Sequence, residues 1–237
     1  MKLEVQHLVK RFGKTLAVDD LSFTITNGEI LGFVGPNGSG KTTTMNIIAT
    51  LDEPTSGEVL VDGKSVIDYP EAALKKLGFM PDALPNQSDI TAHEYIDFFA
   101  RAANFKGAAL ERRVREVEDF VDVTPIKDKV LSALSKGMKQ RVSLARAMVH
   151  DPELLIMDEP ANGLDPRARI EFRTYAKKLA AAGKAVLISS HILSDLADIC
   201  TGCLIIEKGR LVKELKGDLK NVDLEQVFLE STKGEVQ

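Results

Sequence analysis

Short apolar runs recur along the chain and predict β-strands. Residues 3–9 and 21–25 alternate between apolar and polar side chains, as half-buried strands at an antiparallel edge do. Residues 57–62 predict a short strand that ends in an Asp62-Gly63 turn. Four further runs are continuously apolar, which is typical of strands buried on both faces of a mostly parallel sheet. They are residues 30–34, 154–157, 185–189 and 204–206.

Helical patterns alternate with these strands. In residues 135–149, the side chains of Met138, Val142, Ala145 and Val149 recur at helical intervals and lie on one face. Residues 170–182 are rich in Ala, Lys and Glu, and the following glycine is a typical helix end. The chain therefore predicts an α/β fold with a mostly parallel sheet and an antiparallel β-subdomain near the N-terminus.

The character of the sequence changes after Pro81, where helical spacing recurs and no clear strand is found before Leu134. We interpret about residues 83–150 as a helical insertion in a single domain that covers residues 1–237. Residues 213–237 are a C-terminal extension, in which Asp223 is expected to cap a short helix.

The composition limits the possible functions. Of the 237 residues, 44% are hydrophobic and 28% are charged, values that exclude a disordered or fibrous chain. The net charge of -4 excludes an overall basic footprint for nucleic acid, although a local basic patch stays open. No window reaches the roughly 18 apolar residues of a membrane span. Charges at Lys2, Glu4 and Lys10 argue against a signal peptide, so we expect a cytoplasmic protein.

The two cysteines, Cys200 and Cys203, form a Cys-Thr-Gly-Cys sequence. The spacing permits a redox pair or half of a zinc site, but no second Cys or His pair lies nearby. Because both thiols lead into an apolar run, we expect small core residues.

A glycine-rich segment with a lysine follows the run at residues 30–34. It matches the GxxxxGK(S/T) loop that binds nucleotide phosphates between a strand and a helix, as in P-loop NTPases. Glycines let backbone amides turn inward, and the following helix directs its positive end at the same anion. We expect Lys41 to contact the β- and γ-phosphates of a bound nucleotide and the Thr42 hydroxyl to bind Mg²⁺. The candidate nucleotide-binding residues of this loop are Gly35, Pro36, Asn37, Gly38, Ser39, Gly40, Lys41, Thr42 and Thr43.

Two acidic residues follow another buried run. Asp158 and Glu159 come directly after residues 154–157, at the carboxyl end of a strand, where open α/β sheets bind ligands. Asp158 is suited to hold Mg²⁺, directly or through water, and Glu159 to orient or deprotonate an attacking water. The alternative is a solvated acidic turn before Pro160, which the phosphate loop makes the weaker interpretation.

His191 follows a third buried run, residues 185–189. A lone histidine is normally a structural residue. Its position at the carboxyl end of a strand, where the phosphates are expected, favours instead a hydrogen bond from His191 to the γ-phosphate.

Together, and in this order, these motifs resemble the nucleotide-binding subunit of an ABC transporter, from Leu3 to about Lys213. Residues 134–141, Leu-Ser-Lys-Gly-Met-Lys-Gln-Arg, are similar to the family signature that begins Leu-Ser-Gly-Gly-Gln. Residues 161–166 resemble the loop after the catalytic Glu, and His191 matches the switch histidine. Phe12 occupies the position of the aromatic residue that stacks on adenine, and Val18 is expected to flank the base.

The resemblance implies a dimer with an identical or closely related subunit. In the family, two subunits pack head to tail, and the signature of each closes on the ATP held by the phosphate loop of the other. From the residues alone, Ser135 is also explained as a plain helix N-cap. The residues expected to contact ATP across this interface are Ser135, Lys136, Gly137, Met138 and Asp165.

Several positions depart from the family pattern. Asp82 stands where the family usually has Gln; its carboxylate suits Mg²⁺ but repels the γ-phosphate and the attacking water. An ordinary loop Asp after Pro81 is the alternative. Lys136 replaces a Gly, Met138 a Gln and Ala161 a common Thr. With Asp82 included, the catalytic candidates are Lys41, Asp82, Glu159 and His191, and the metal candidates are Thr42, Asp82 and Asp158.

The resemblance implies an ATP-hydrolysing motor subunit of a membrane transporter. Permease subunits from other chains would supply the membrane path, with this chain on the inner face of the cell membrane. The helical insertion is where family members receive a short permease helix. Tyr95, Phe98 and Phe99 would line that groove or, as the simpler alternative, pack onto their own core. The signature and residues 223–229 look like the type-2 exporter class.

Two other functions stay open. A soluble ATP-driven clamp on nucleic acid or the ribosome would share the motifs, but such relatives often carry two nucleotide domains or long coiled-coil insertions. We therefore expect no nucleic-acid partner. Asp82 and Lys136 would also fit a regulatory subunit that binds ATP and hydrolyses it weakly. The cargo is not encoded in this chain, because cargo contacts belong to the membrane partner.

Overall fold

Two β-sheets form the framework of the protein in a computed structural model, which describes residues 1–84, 89–192, 196–217, 219–220 and 222–232. In chain order, the strands are β1 (Lys2–Phe12), β2 (Thr15–Thr26), β3 (Ile30–Val34), β4 (Ser56–Val61), β5 (Lys64–Ser65), β6 (Leu77–Met80), β7 (Leu154–Met157), β8 (Ala185–Ser190), β9 (Gly202–Glu207) and β10 (Arg210–Lys216).

One sheet is antiparallel and the other is mostly parallel, as predicted. The first is antiparallel, with the order β2–β1–β4–β5, and the turn after β4 has positive φ at both Asp62 and Gly63, as a tight hairpin requires. The second has the order β10–β9–β3–β8–β7–β6 and is parallel except for β10 at its edge. The prediction of an α/β fold with a mostly parallel sheet and an antiparallel N-terminal sheet is confirmed.

Apart from the short helix at Pro70–Leu74, which the sequence pattern did not predict, the helices fall in the predicted regions. They are α1 (Lys41–Ile48), α2 (Pro70–Leu74), α3 (Ala92–Ala102), α4 (Gly107–Phe120), α5 (Lys136–Met148), α6 (Pro166–Ala181) and α7 (Leu224–Thr232), with two 3-10 turns at Thr124–Ile126 and Leu131–Ala133. Asp223 caps α7 by accepting a hydrogen bond of 2.9 Å from the Gln226 backbone N–H, as expected. Helix α6 begins four residues before the expected residue 170 because Asp165 caps it and Pro166 suits its first turn.

The core has two parts, one on each face of the parallel sheet. Alternate side chains of β3, such as Ile30 and Leu31, enter opposite parts, as the pleat of a strand demands. Helices α3 to α6 cover one face, and α1 with the antiparallel sheet covers the other. Within the described residues, no helix combines the length and the apolar composition that a membrane crossing requires.

The cysteines lie in this core, as predicted. Cys200 is 5% exposed and Cys203 is 0% exposed. Burial raises the pKa of the Cys203 thiol to about 12 and raises the pKa of Cys200 as well, so neither thiol is poised to ionise.

Candidate functional site

The carboxyl ends of three neighbouring parallel strands bring distant motifs together. Strand β8 lies between β3 and β7, so the phosphate loop, the acidic pair and His191 reach the same edge of the sheet. They border a cleft of about 600 Å³. The residues that line it are Phe12, Ala17, Asn37, Gly38, Gly40, Lys41, Thr42, Thr43, Asp82, Asp158, Glu159, Asn162 and His191.

Glycine is required at two positions of the phosphate loop by close backbone contacts. A Cβ on Gly35 would lie 2.2 Å from the Ile206 carbonyl oxygen, and one on Gly40 would lie 2.3 Å from the Ala17 carbonyl oxygen. Gly40 also has a φ of +98° and precedes the first residue of α1. The loop therefore curls tightly beneath the helix N-terminus, where backbone N–H groups attract anions.

Lys41 lies at the floor of the cleft. Its side chain is 5% exposed, and Nζ donates hydrogen bonds to the carbonyl oxygens of Gly35 (2.7 Å) and Pro36 (3.1 Å). Burial lowers the pKa of Lys41, and the nearby carboxylates of Glu159 and Asp158 oppose that shift. Neutral carbonyls are weaker partners than phosphate oxygens, so this ammonium is available to a bound anion.

The two acidic residues that follow β7 lie in different environments. The Asp158 side chain is buried, and its Oδ1 accepts a hydrogen bond of 2.7 Å from the Ser189 hydroxyl. Glu159 has a φ of +47°, which is unusual for a residue with a side chain. Its backbone N–H donates to the same Ser189 oxygen at 2.8 Å.

Glu159 contacts both Lys41 and His191. Its Oε2 lies 2.7 Å from His191 Nδ1, and its Oε1 lies 3.8 Å from Lys41 Nζ. Oε1 is buried and has no hydrogen-bond partner among the residues described. One carboxylate oxygen thus remains available for a further donor such as water.

The donors of the cleft fit Mg²⁺. Asp158 and Thr42 supply hard oxygen atoms beside the phosphate loop, as this cation prefers. In the described part of the chain, no three His, Cys, Asp or Glu side chains are grouped to hold a metal. Mg²⁺ commonly has few protein ligands where phosphates and water complete its coordination shell.

The cleft also has an apolar part, to which Phe12 and Ala17 contribute. The Phe12 ring is 50% exposed, and Lys10 Nζ lies 4.7 Å from its centre. Val18 does not border the cleft, because its side chain is fully buried in the core. The preceding residue, Ala17, lines the cleft instead, since successive side chains of β2 point to opposite sides. The expected contact of Val18 with the base stays a prediction, and Ala17 is the residue of β2 that lines the cleft.

The signature residues lie outside this cleft. Ser135 is exposed and caps α5 by accepting a hydrogen bond of 3.3 Å from the Met138 N–H, while Asp165 caps α6. Lys136 Nζ lies close to Gly163, since a Cβ added to that glycine would be 2.8 Å from it. Gly137, in the first turn of α5, is half-buried and lies next to Ala168 of α6. A single chain therefore does not bring its signature to its own phosphate loop.

Asp82 connects the cleft to the signature helix. It lines the cleft, and its backbone carbonyl accepts a hydrogen bond of 2.9 Å from Gln140 Nε2 on α5. It also borders a smaller cavity of about 210 Å³ together with Lys136 and Lys139. Asp82 thus borders both the cleft and the cavity beside the start of α5.

The sequence reasoning missed three contributors. Ala17 and Asn162 line the cleft, and the Asn162 N–H donates to the Glu159 carbonyl at 3.0 Å. Asn162 stands in the loop already singled out by resemblance, so its position offered a signal. Ser189 gave none, because a serine in a buried strand looks like an ordinary core residue.

The fold and the cleft define a P-loop nucleotide-binding protein, and comparisons with known proteins identify its family. A family model described as ABC transporter matches residues 18–162. The chain is 39% identical to an uncharacterised ABC transporter ATP-binding protein, YhcH, of Bacillus subtilis, over 95% of this chain and 72% of that protein. It is 35% identical to Nod factor export ATP-binding protein I of Burkholderia lata, over 90% of this chain and 70% of that protein.

A solved structure agrees with these relatives. The dimeric cassette MJ0796, in a post-hydrolysis state bound to ADP and Pi, aligns with a TM-score of 0.80 at 26% identity, covering 90% of this chain and 98% of that one. The chain belongs to the ABC transporter family. It is an ATP-binding subunit with ATP hydrolase activity.

Proposed function

We propose that the protein is the motor subunit of a membrane exporter and hydrolyses ATP at the cleft described above. The observation that carries this proposal is the meeting of Lys41, Asp158, Glu159 and His191 at one edge of the parallel sheet. Phosphoryl transfer from ATP to water requires an anion site, a metal-binding carboxylate and a carboxylate that can accept a hydrogen bond from water, as Glu159 Oε1 can, since it accepts none from the described residues.

The proposed reaction is the in-line attack of water on the γ-phosphorus. The new P–O bond forms as the bond to the β-γ bridging oxygen breaks, and ADP leaves. Glu159 orients the water and accepts its proton, while Lys41 and His191 stabilise negative charge on the phosphate oxygens. Thr42 and Asp158 would hold Mg²⁺, which supplies positive charge to the phosphates when bound. Asp82 is a further candidate ligand for the metal.

We infer that the working unit is a dimer. The exposed N-terminus of α5 with Ser135 lies outside the cleft of its own chain, which leaves it available to a second chain. Lys136, Gly137, Met138 and Asp165 would approach the same ATP from that second chain. The dimeric structure of the relative MJ0796 supports this arrangement.

We infer that permease subunits dock on an apolar groove of about 640 Å³ beside the helical region. Leu51 and Leu74 lie in the groove with 64% and 47% of their surface exposed, which favours a hydrophobic partner. Phe99 also lines it, whereas Tyr95 is buried and Phe98 does not border it. Docking there would hold the chain at the inner face of the cell membrane.

Export is the direction that the relatives support. The matched proteins include a Nod factor export ATP-binding protein, and residues 223–229, which resemble the exporter class, fall mostly in α7. In this proposal residues 1–237 are one cassette, about residues 83–150 are its helical part and residues 213–237 its C-terminal extension. The cargo is a property of the permease.

The test is the variant Glu159→Gln, which keeps the shape of the side chain and removes the base. We expect ATP turnover to fall by about 100-fold or more, because general bases contribute that much. ATP binding persists, and size-exclusion chromatography with light scattering detects an ATP-stabilised dimer. Glu111→Gln, on an exposed position of α4, is the matched control and keeps normal turnover. Normal turnover of Glu159→Gln would refute the assignment.

A further inference from the structure

A single buried hydroxyl contacts both acidic residues of the cleft. Ser189 lies in β8 and is 0% exposed. Its Oγ donates a hydrogen bond to Asp158 Oδ1 at 2.7 Å and accepts one from the Glu159 backbone N–H at 2.8 Å. One oxygen atom therefore joins β8 to a side chain and to the main chain just beyond the end of β7.

The position of this contact follows from the register of the two strands. Met157 pairs with Ile188 at the last step of the β7–β8 ladder, so Asp158 and Ser189 are the next neighbours. The main chain leaves the ladder at this point, and Glu159 enters the left-handed region with a φ of +47°. Such a backbone conformation is strained for a residue with a side chain and persists where surrounding groups hold it. The bond from the Glu159 N–H to Ser189 is one such restraint.

The same hydroxyl restricts the Asp158 carboxylate. Because Oδ1 accepts the Ser189 hydrogen, the orientation of the carboxylate is set and Oδ2 is left for a cation. Groups that hold a metal ligand in place commonly affect metal affinity by 10- to 100-fold, although they do not touch the metal.

The contacts of Ser189 are also connected to His191 through Glu159. His191 follows Ser189 by two residues, and its Nδ1 lies 2.7 Å from Glu159 Oε2. Ser189 thus anchors the end of β8 to the residue that His191 contacts. Its loss would loosen the metal-binding carboxylate and the Glu159–His191 contact together.

We propose that Ser189 is a positioning residue, which fixes the Asp158 carboxylate for Mg²⁺ and the Glu159 backbone for catalysis through one shared hydroxyl. This inference rests on the proposed function of the cleft. It assigns Ser189 no contact with ATP, so the binding of ATP without metal does not depend on it.

The sharpest test uses a pair of variants of the same shape. Ser189→Thr retains a hydroxyl, and Ser189→Val replaces that hydroxyl with a methyl group in a side chain of similar volume. Ser143→Ala is the control, because Ser143 is 1% exposed and its Oγ has no hydrogen-bond partner in the described part of the chain. Thermal unfolding verifies that each variant is folded.

The measurements distinguish an effect on Mg²⁺ binding from an effect on nucleotide binding. Calorimetry with a non-hydrolysable ATP analogue gives its affinity in EDTA and in Mg²⁺, and steady-state assays give kcat and KM across Mg²⁺ concentrations. We expect Ser189→Val to keep the affinity in EDTA within about twofold and to need about tenfold more Mg²⁺ for half-maximal activity. Its kcat falls by about tenfold with a smaller change in KM, whereas Ser189→Thr and Ser143→Ala behave like the wild type.

The outcomes distinguish this inference from the proposed function. If the wild-type protein shows no effect of Mg²⁺ and no ATP hydrolysis, the function of the cleft itself is refuted. If the wild type responds to Mg²⁺ and a folded Ser189→Val variant responds equally, only the role of Ser189 is refuted. Equal losses in Ser189→Thr and Ser189→Val, or in Ser143→Ala and Ser189→Val, would also overturn it.

Discussion

At the scale of single residues, Lys41 illustrates how a buried charge is kept ready for an anion. Burial lowers its pKa, while Glu159 and Asp158 partly oppose the shift, and its hydrogen bonds go to neutral carbonyls of its own loop. Phosphate oxygens form stronger, charge-assisted bonds with an ammonium than carbonyls do. The conformation seen here is therefore one that a triphosphate would replace at low cost.

This balance leads to a prediction for Lys41→Ala. Loss of hydrogen bonds to a charged partner is worth roughly 1.5–3 kcal/mol, so ATP affinity should fall by about 10- to 100-fold. Calorimetric titration with ATP in EDTA measures the loss without hydrolysis. Lys177→Ala, at an exposed position of α6, is the control for removing one positive charge and should bind ATP normally. Full affinity of Lys41→Ala would exclude its phosphate contact.

Single residues of the cleft differ in how far the sequence predicts their position. Lys41 and the glycines near it lie where expected, because the motif specifies a backbone shape as well as side chains. Val18 is buried in the core and Ala17 lines the cleft; the alternation of β2 shows which side chain faces the core only once the strand pairing is known. Ser189 escaped notice because its partner Asp158 is 31 residues away and no local pattern links them.

At the scale of elements, the turn between β9 and β10 supports the phosphate loop. The Gly209 N–H donates to the Ser39 carbonyl at 3.1 Å, and the Gly209 carbonyl accepts from the Asp19 N–H at 2.9 Å. Gly209 has a φ of +84°, and a Cβ there would lie 2.9 Å from the Ala17 carbonyl oxygen. The turn thus joins the phosphate loop to β2, the strand from which Ala17 lines the cleft.

We predict that Gly209→Ala weakens ATP binding as well as stability. Its added methyl group would push the turn away from β2 and from Ser39, whereas the left-handed strain alone costs about 1 kcal/mol. Gly183→Ala is a matched control, because Gly183 has a φ of +81° and open space where the Cβ would stand. Both variants should unfold at lower temperature, but only Gly209→Ala should lose ATP affinity. Equal ATP affinity in the two variants would contradict this role of the turn.

The elements that the sequence predicts well are those with one dominant pattern. Strands β3 and β7 have the expected bounds, because short continuous apolar runs favour buried strands over helices. Strand β6 was missed since Gly78 interrupts its pattern, and that glycine allows the backbone to approach Ala147 of α5 closely. Strand β10 was missed because it is an exposed, charged edge strand whose pairing with β9 determines its structure.

At the scale of the whole molecule, two surface features of the described residues bear on the proposed partners. The start of α5 lies outside the cleft of its own chain, and the groove with Leu51 and Phe99 is lined mostly by apolar residues. In the proposed function, a second copy or close relative covers the first feature and a membrane partner covers the second. Sequence motifs indicated both partners by resemblance only, because the geometry of an interface depends on the folded surface.

The groove gives the last prediction. Leu51→Asp places a charge where a hydrophobic partner would bind, so association with the permease should be lost while ATP hydrolysis by the isolated subunit is unchanged. Ile170→Asp is the control, since Ile170 is 62% exposed on α6 and does not line the groove. The measurement is recovery of an identified membrane-spanning partner with the tagged subunit from detergent-solubilised native membranes. Equal recovery with both variants would place the permease contact on another surface, and loss of hydrolysis in Leu51→Asp would assign the groove to the ATP site instead.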